Sequence, residues 1–286
     1  MGTCCSLPLV CGGDPALCKI ALKLPHGSKG VSLSSNQFQD TDINEWIADL
    51  YNQKTWTGWF CYNDDLPGND QHTSRGHCKG IVTWNDSRIG WLIHSVPKFP
   101  QSFNGSFITP IGASELLYGQ SFLYIEQSRS AVNLDDVIRQ IFWMKPNLFH
   151  THNMPTVAPY NPTILEIKTL KWSKTMTHLA KSPEHNTDFI GTELCKLHVG
   201  WHEETWKRGS VYTDNTKNVK TIHTLCVNNT TYKSSQDHSK WAVSPNHLWI
   251  GDLNHMKSQE KRGGGGIVIT NKAVATAFSS LIKVES

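Results

Sequence analysis

The sequence predicts an α/β protein built from two similar halves that share one site. The word Gly76-His77-Cys78-Lys79-Gly80 is echoed by Asp237-His238-Ser239-Lys240-Trp241, one copy in each half. Around each copy the same order recurs: a polar loop, His-x-Lys, a short apolar strand, a turn, and a second apolar strand bearing tryptophan. That order reads as a diverged internal duplication. Each half is expected to be a mixed β-sheet flanked by helices, with the site at their interface.

Taken in order, 1–10 is an N-terminal segment, 11–150 the first half and 151–286 the second. Cys18 to Leu24 reads as a strand stopped by Pro25-His26-Gly27. Ile43, Trp46, Ile47 and Leu50 fall on one face of a helix over Asp42 to Tyr51. Tyr62 to Arg75, rich in Asp, Asn, Pro and Gly, is a loop leading to His77. Ile81 to Trp84 and Gly90 to Val96 form a hairpin turning at Asn85 to Arg88. Leu134 to Phe142 has helical spacing, and the proline-rich Asn147 to Pro162 separates the halves. Strands follow at Thr163 to Trp172, Thr221 to Val227, Trp241 to Val243 and His247 to Gly251, with helical spacing at Asp188 to Val199. Lys261-Arg262 and four glycines, Gly263 to Gly266, precede a strand at Ile267 to Thr270 and a helix at Ala273 to Ile282.

The 286 residues, 38% hydrophobic and 18% charged, suffice for a large core and are neither disordered nor membrane-like in composition. No run of about 18 apolar residues occurs, so no membrane-spanning helix is expected. A net charge of +3 permits a polyanionic partner without requiring one. The eight cysteines form no paired CxxC knuckles, and His150-Thr151-His152 lacks a partnering acid, so no metal and no cofactor are expected. Sequons begin at Asn85, Asn104, Asn228 and Asn229. With the scattered cysteines they favour a secreted or lysosomal, disulfide-permitting setting, although Met1 to Val10 carries no complete signal peptide.

Residues i and i+2 of a strand project from the same face. His77 would therefore project with Lys79, and His238 with Lys240. Two imidazoles and two ammonium groups around one point suit a phosphodiester: one histidine attacks phosphorus, the other protonates the leaving oxygen, and the lysines hold the phosphate oxygens. His94 either faces the same site or is a hydrogen-bonded core histidine. The glycine run is either a flexible turn or, beside Lys261 and Arg262, a phosphate cradle.

Longer words extend the pattern: Ser74 to Gly80, Gly90 to Pro100, Tyr118-Gly119-Gln120-Ser121-Phe122, Leu179-Ala180-Lys181-Ser182-Pro183, Glu204-Thr205-Trp206, Gln236 to Trp241, Gly251-Asp252-Leu253-Asn254, Ser258-Gln259 and Lys261 to Gly265. From about residue 11 to the C-terminus, in order, they resemble the deoxyribonuclease II family. The resemblance implies a phospholipase D-like fold of two pseudo-symmetric halves. It also implies metal-independent cleavage of DNA at acidic pH, leaving 3′-phosphate and 5′-hydroxyl ends through a phosphohistidine. The matching catalytic positions are His77, Lys79, His238 and Lys240, with His94, Asp252, Asn254, Lys261 and Arg262 in support. One chain carries both motifs, so a monomer suffices and a homodimer is compatible with a complete site. Two departures stand out: Cys78, where the family usually has threonine or serine, and His255, where arginine is more frequent. They motivate the rival readings of a secreted DNA-binding or host-interacting protein with impaired catalysis, or a phosphodiesterase for another diester such as a lipid.

Overall fold

The computed structural model describes residues 16–68, 75–157, 165–207, 212 and 218–285. The N-terminal segment, Cys4, Cys5 and Cys11, and parts of the expected loops and connector at 69–74, 158–164 and 213–217 lie outside these residues.

The first sheet is made of β1 (Leu17–Lys23), β2 (Lys29–Ser34), β3 (Gln37–Asp42), β4 (Gly58–Tyr62), β5 (Gly80–Trp84), β6 (Arg88–His94), β7 (Gln120–Ser128) and β8 (Leu148–His152). Its strand order is β3-β2-β1-β7-β6-β5-β4-β8. Helix α1 (Ile43–Tyr51) begins where the Asp42 carboxylate accepts from the Asn44 and Glu45 amides. Asn133 caps α2 (Leu134–Trp143) in the same way.

The second sheet contains β9 (Ile167–Lys171), β10 (Met176–Lys181), β11 (Trp201–Glu204), β12 (Val219–Val227), β13 (Thr230–Lys233), β14 (Trp241–Ser244), β15 (His247–Gly251), β16 (Gly264–Thr270) and β17 (Ile282–Glu285). Its main path is β13-β12-β11-β14-β15-β16-β10-β9, with β17 paired to β12. A π-helical turn, Phe189–Leu194, runs into the short α3 (Cys195–Leu197). The last helix, α4 (Lys272–Ser279), is shorter than its periodicity suggests, because β17 takes up the chain from Ile282.

The duplication is visible in the sheet order. The path β4-β5-β6-β7-β1 in the first sheet matches β11-β14-β15-β16-β10 in the second, and a helix follows both β7 and β16. The first sheet is antiparallel throughout rather than mixed. Among the described residues, parallel pairing occurs between β11 and β12 of the second sheet and as a single bridge between Gly119 and Asp237, which joins the two halves.

Strand alternation divides the core into layers. Cys18, Ile20 and Leu22 of β1, Trp91 and Ile93 of β6, Trp241 and Val243 of β14, and Leu248 and Ile250 of β15 face a central layer between the sheets. Helices α2 and α4 occupy that layer, and Trp91 meets Trp172 across it at 5.9 Å. Ala21, Leu92 and Phe122 point to the other face of the first sheet, where α1 covers them. Ala242, Trp249 and Val268 point outward from the second sheet beneath the 189–194 turn. Burial on both faces explains why β5 and β14 read as continuous apolar runs rather than alternating strands.

Candidate active site

His77 and Lys79 lie just before β5, and His238 and Lys240 just before β14. Each segment is tied to the opposite half. The His77 amide donates to the Gly263 carbonyl at 2.7 Å, and the His238 amide to the Gly119 carbonyl at 2.8 Å. Gly263 and Gly119 precede the matched strands β16 and β7, so the two contacts are pseudo-equivalent. A Cβ at Gly263 would come within 2.0 Å of the Met144 carbonyl, which excludes larger residues there. The Lys79 amide donates to Asp252 Oδ1 and the Lys240 amide to Ser121 Oγ, both at 3.2 Å. Exchange between halves thus fixes the spacing of the two pairs.

Together they line a cavity of about 440 Å³ with Asp64, Glu115, Tyr118, Trp206, Asn254 and Arg262 among its other walls. The loops roofing it are held by two buried lysines at matched strand ends. Lys23 Nζ donates to the carbonyls of Leu24, Gly27 and Leu116. Lys181 Nζ donates to those of Glu260 and Arg262, at 2.7 and 2.6 Å. Burial pushes both ammonium groups down to about 8.

The two histidines have different surroundings. His77 Nδ1 lies 2.7 Å from the Asp252 carbonyl oxygen. A carbonyl only accepts, so Nδ1 carries the proton and Nε2 keeps its lone pair. Burial first, then the neighbouring Lys79, Arg262 and Lys240 cations, hold His77 well below the ordinary imidazole range, against the opposing pull of Asp64. Asp64 is itself paired with Lys79 and, at 2.9 Å, with Arg262. Burial alone would raise its carboxyl, but these cations outweigh it and hold it far below the usual carboxylate range. His238 instead stacks on Tyr118 at 4.2 Å and 8°, with Trp206 edge-on at 4.2 Å and Glu115 Oε2 at 3.9 Å from Nδ1. Aromatic faces and a carboxylate attract a cation. Lys240 donates to the His238 carbonyl, and burial followed by Lys79 lowers its ammonium to about 7.

The family model for Deoxyribonuclease II matches residues 26–285 of this chain. The chain belongs to the deoxyribonuclease II family. It is similar to deoxyribonuclease-2-beta of Mus musculus, 32% identical over 264 residues, covering 82% of this chain and 73% of the relative. Cell-death-related nuclease 7 of Caenorhabditis elegans is 29% identical, covering 87% and 76%. Deoxyribonuclease-2-alpha of Sus scrofa is 27% identical, covering 83% and 72%.

The other residues singled out in this deoxyribonuclease II sequence are distributed unevenly. Asn254 and Arg262 line the cavity, whereas Lys261 is not among its lining residues. Asp252 sits behind the wall, fully buried, and acts through its carbonyl and Oδ1. Burial pushes its carboxyl up to about 8, despite the Lys79 amide and the two lysine cations. His94 is a core histidine. It is 1% exposed, accepts from the Val96 amide, and packs edge-on to Phe99. The glycine run is neither a flexible turn nor a phosphate cradle: Gly264, Gly265 and Gly266 are strand residues paired with β10 and β15. Their absence of side chains serves close packing, since a Cβ at Gly265 would meet the Leu179 carbonyl at 2.1 Å.

Both departures from the family pattern lie off the cavity. Cys78 is fully buried in the central layer. His255 is held by Asp188 at 3.2 Å and Glu203 at 3.5 Å. Burial opposes its charge, but these carboxylates raise it to about 9. Of the cysteines expected in disulfides, Cys61, Cys78, Cys195 and Cys226 are free thiols. Asp64, Glu115, Tyr118 and Trp206 were not singled out from the sequence as site residues. Tyr118 and Trp206 nevertheless fall in words that carried the family resemblance, and Asp64 in the polar loop before His77.

Proposed function

We propose that this chain is an endodeoxyribonuclease of phospholipase D-like architecture, acting at acidic pH without a metal and leaving 3′-phosphate and 5′-hydroxyl ends. The observation that carries this is the convergence of two His-Lys pairs, one from each half, on one cavity, with the His77 Nδ1 proton committed to the Asp252 carbonyl and Nε2 keeping its lone pair.

His77 Nε2 attacks phosphorus. The bond to the 5′-oxygen breaks, and His238 gives that oxygen its proton, leaving the 3′-phosphate on His77. His238, now neutral, takes a proton from water as the water attacks phosphorus, which releases the 3′-phosphate and restores His77. Lys79, Lys240 and Arg262 meet the charge that grows on the non-bridging oxygens. Tyr118, Trp206 and Glu115 pack around His238 and orient it. Acidic pH suits this division of labour. Below about 7 Lys240 is an ammonium, while His77 remains a free base because its surroundings oppose protonation.

DNA as substrate is supported by family membership and by the names of the relatives. The impaired-binder reading loses its motivation, because neither Cys78 nor His255 lines the cavity. Because one chain supplies both pairs, a monomer is sufficient. A secreted or lysosomal location accords with the acid-tuned site and with the exposed sequons at Asn104, Asn228 and Asn229.

The test is plasmid degradation at pH 5 in excess EDTA, with His77→Ala and His238→Ala run alongside. Wild-type cleavage with both variants reduced at least a thousandfold is expected, as for loss of a covalent nucleophile or its acid (on the order of 10³ or more). Wild-type rates in either variant would refute the mechanism.

A further inference from the structure

On the His77 side of the cavity lies a second hollow of about 420 Å³, lined by Arg75, Phe142, Lys145, Pro146, Asn147 and Leu148. It adjoins the reaction cavity through the backbone. The Arg75 carbonyl accepts from Arg262 Nε and Nη2 at 3.0 and 2.8 Å, and Arg262 lines the cavity. The Gly76 amide donates to the Lys145 carbonyl at 2.8 Å. Only Gly76 separates Arg75 from His77 along the chain, so their Cα atoms are at most about 7 Å apart.

Its chemistry is mixed in a particular way. Arg75 and Lys145 supply cations, while Phe142, Pro146 and Leu148 are half-buried apolar surfaces. Asn147 Nδ2 is buried without a hydrogen-bond partner, a donor that a ligand acceptor would satisfy. Lys145 adopts φ 58° in the turn after α2, the left-handed position where glycine costs least. A lysine there sacrifices backbone stability, and its ion pair with Glu184 is long, at 3.8 Å. Cations beside an apolar platform and an unpaired amide match a nucleotide: phosphate, base face and base edge.

We infer that this hollow binds the nucleotide flanking the scissile phosphodiester, resting on the nuclease reading above. The neighbouring phosphate lies between Arg75 and Lys145, displacing Glu184 from Lys145. The base stacks against Phe142 and Pro146, and Asn147 Nδ2 donates to an acceptor on its edge. The hollow therefore contributes to polynucleotide recognition and nothing to a diester lacking a second nucleotide.

The experiment compares kcat/KM for a short single-stranded oligonucleotide and for bis(p-nitrophenyl) phosphate, in wild type, Arg75→Ala and Lys145→Gly. The contacts with Arg262 run through the Arg75 carbonyl, so truncating that side chain leaves them in place. The ratio of oligonucleotide to small-diester kcat/KM is expected to fall about tenfold in each variant. The salt dependence of oligonucleotide cleavage should become shallower by about 0.7 in log–log slope. Lys145→Gly should also raise the melting temperature while lowering the ratio, separating backbone strain from ligand binding. An unchanged ratio in both variants, or an equal fall on both substrates, overturns the subsite while leaving the nuclease reading standing. A folded wild type that cleaves neither substrate refutes the nuclease reading, and the subsite with it.

Discussion

Asp252→Asn probes the support of His77 without touching the cavity. Asp252 is 2% exposed, and its carboxyl is pushed up to about 8 from 3.8 by burial. Its Oδ1 accepts from the Lys79 amide, while Oδ2 is buried without a partner, so an asparagine reproduces the shape and keeps the Oδ1 contact. Between about 3.8 and 8 the folded chain retains a proton that the unfolded chain has released. Raising the pH through that window therefore favours unfolding, by about 1.4 kcal/mol per unit, or about 4 kcal/mol between pH 5 and pH 8. Burial likewise raises the carboxyls of Glu204 and Asp237, which act in the same sense. The buried neutral histidines His94 and His178, both lowered to about 3, act oppositely, but only between about 3 and 6.5. Taking the difference between variant and wild type cancels these shared contributions. Urea denaturation at pH 5 and pH 8 should show the variant losing about 4 kcal/mol less stability across the interval than the wild type. Identical pH dependence in the two proteins would mean that Asp252 is an ordinary carboxylate, and the link between acidic conditions and an intact His77 support would fail.

Two substitutions test how the site is held. Lys181→Met removes a buried donor and strands the Glu260 and Arg262 carbonyls, each worth about 1–3 kcal/mol when left unpaired. Its denaturation midpoint should fall accordingly, and KM should rise as Arg262 loosens; a variant matching wild type in both would refute a role in holding that loop. Cys78→Ser places a hydroxyl in the central layer and should cost about 1–2 kcal/mol in thermal or urea unfolding. Its pH–rate profile should be unmoved, and a shifted profile would contradict the placement of residue 78 behind the site.

The elements legible in the sequence are those whose signal is local. Asp42 and Asn133 sit at the observed helix starts, and the 80–94 and 241–251 hairpins turn where their polar residues predicted. His-x-Lys was readable as a word repeated in the two halves; the strand expected to carry it begins only after it, at Gly80 and Trp241, so contacts with the opposite half rather than strand alternation set the two pairs. What the sequence concealed depends on the contacts between the halves. Four glycines carry no information about whether they bend freely or allow two backbones to approach, and here Gly264 to Gly266 are buried strand residues while Gly263, just before the strand, packs against the Met144 carbonyl. Nothing in the Asp64 loop reveals that an arginine from the second half completes its ion pairs. Nor does Tyr118 advertise that its ring lies flat on a histidine from the opposite half. The same long-range contacts make the two histidines different. The repeated motif leaves the two histidines interchangeable, and the asymmetry comes from the partners each receives: the Asp252 carbonyl, three cations and the Asp64 carboxylate for His77, and two aromatic rings and the Glu115 carboxylate for His238. On the proposed mechanism, it is the divergence of these surroundings that gives two histidines from like motifs different tasks.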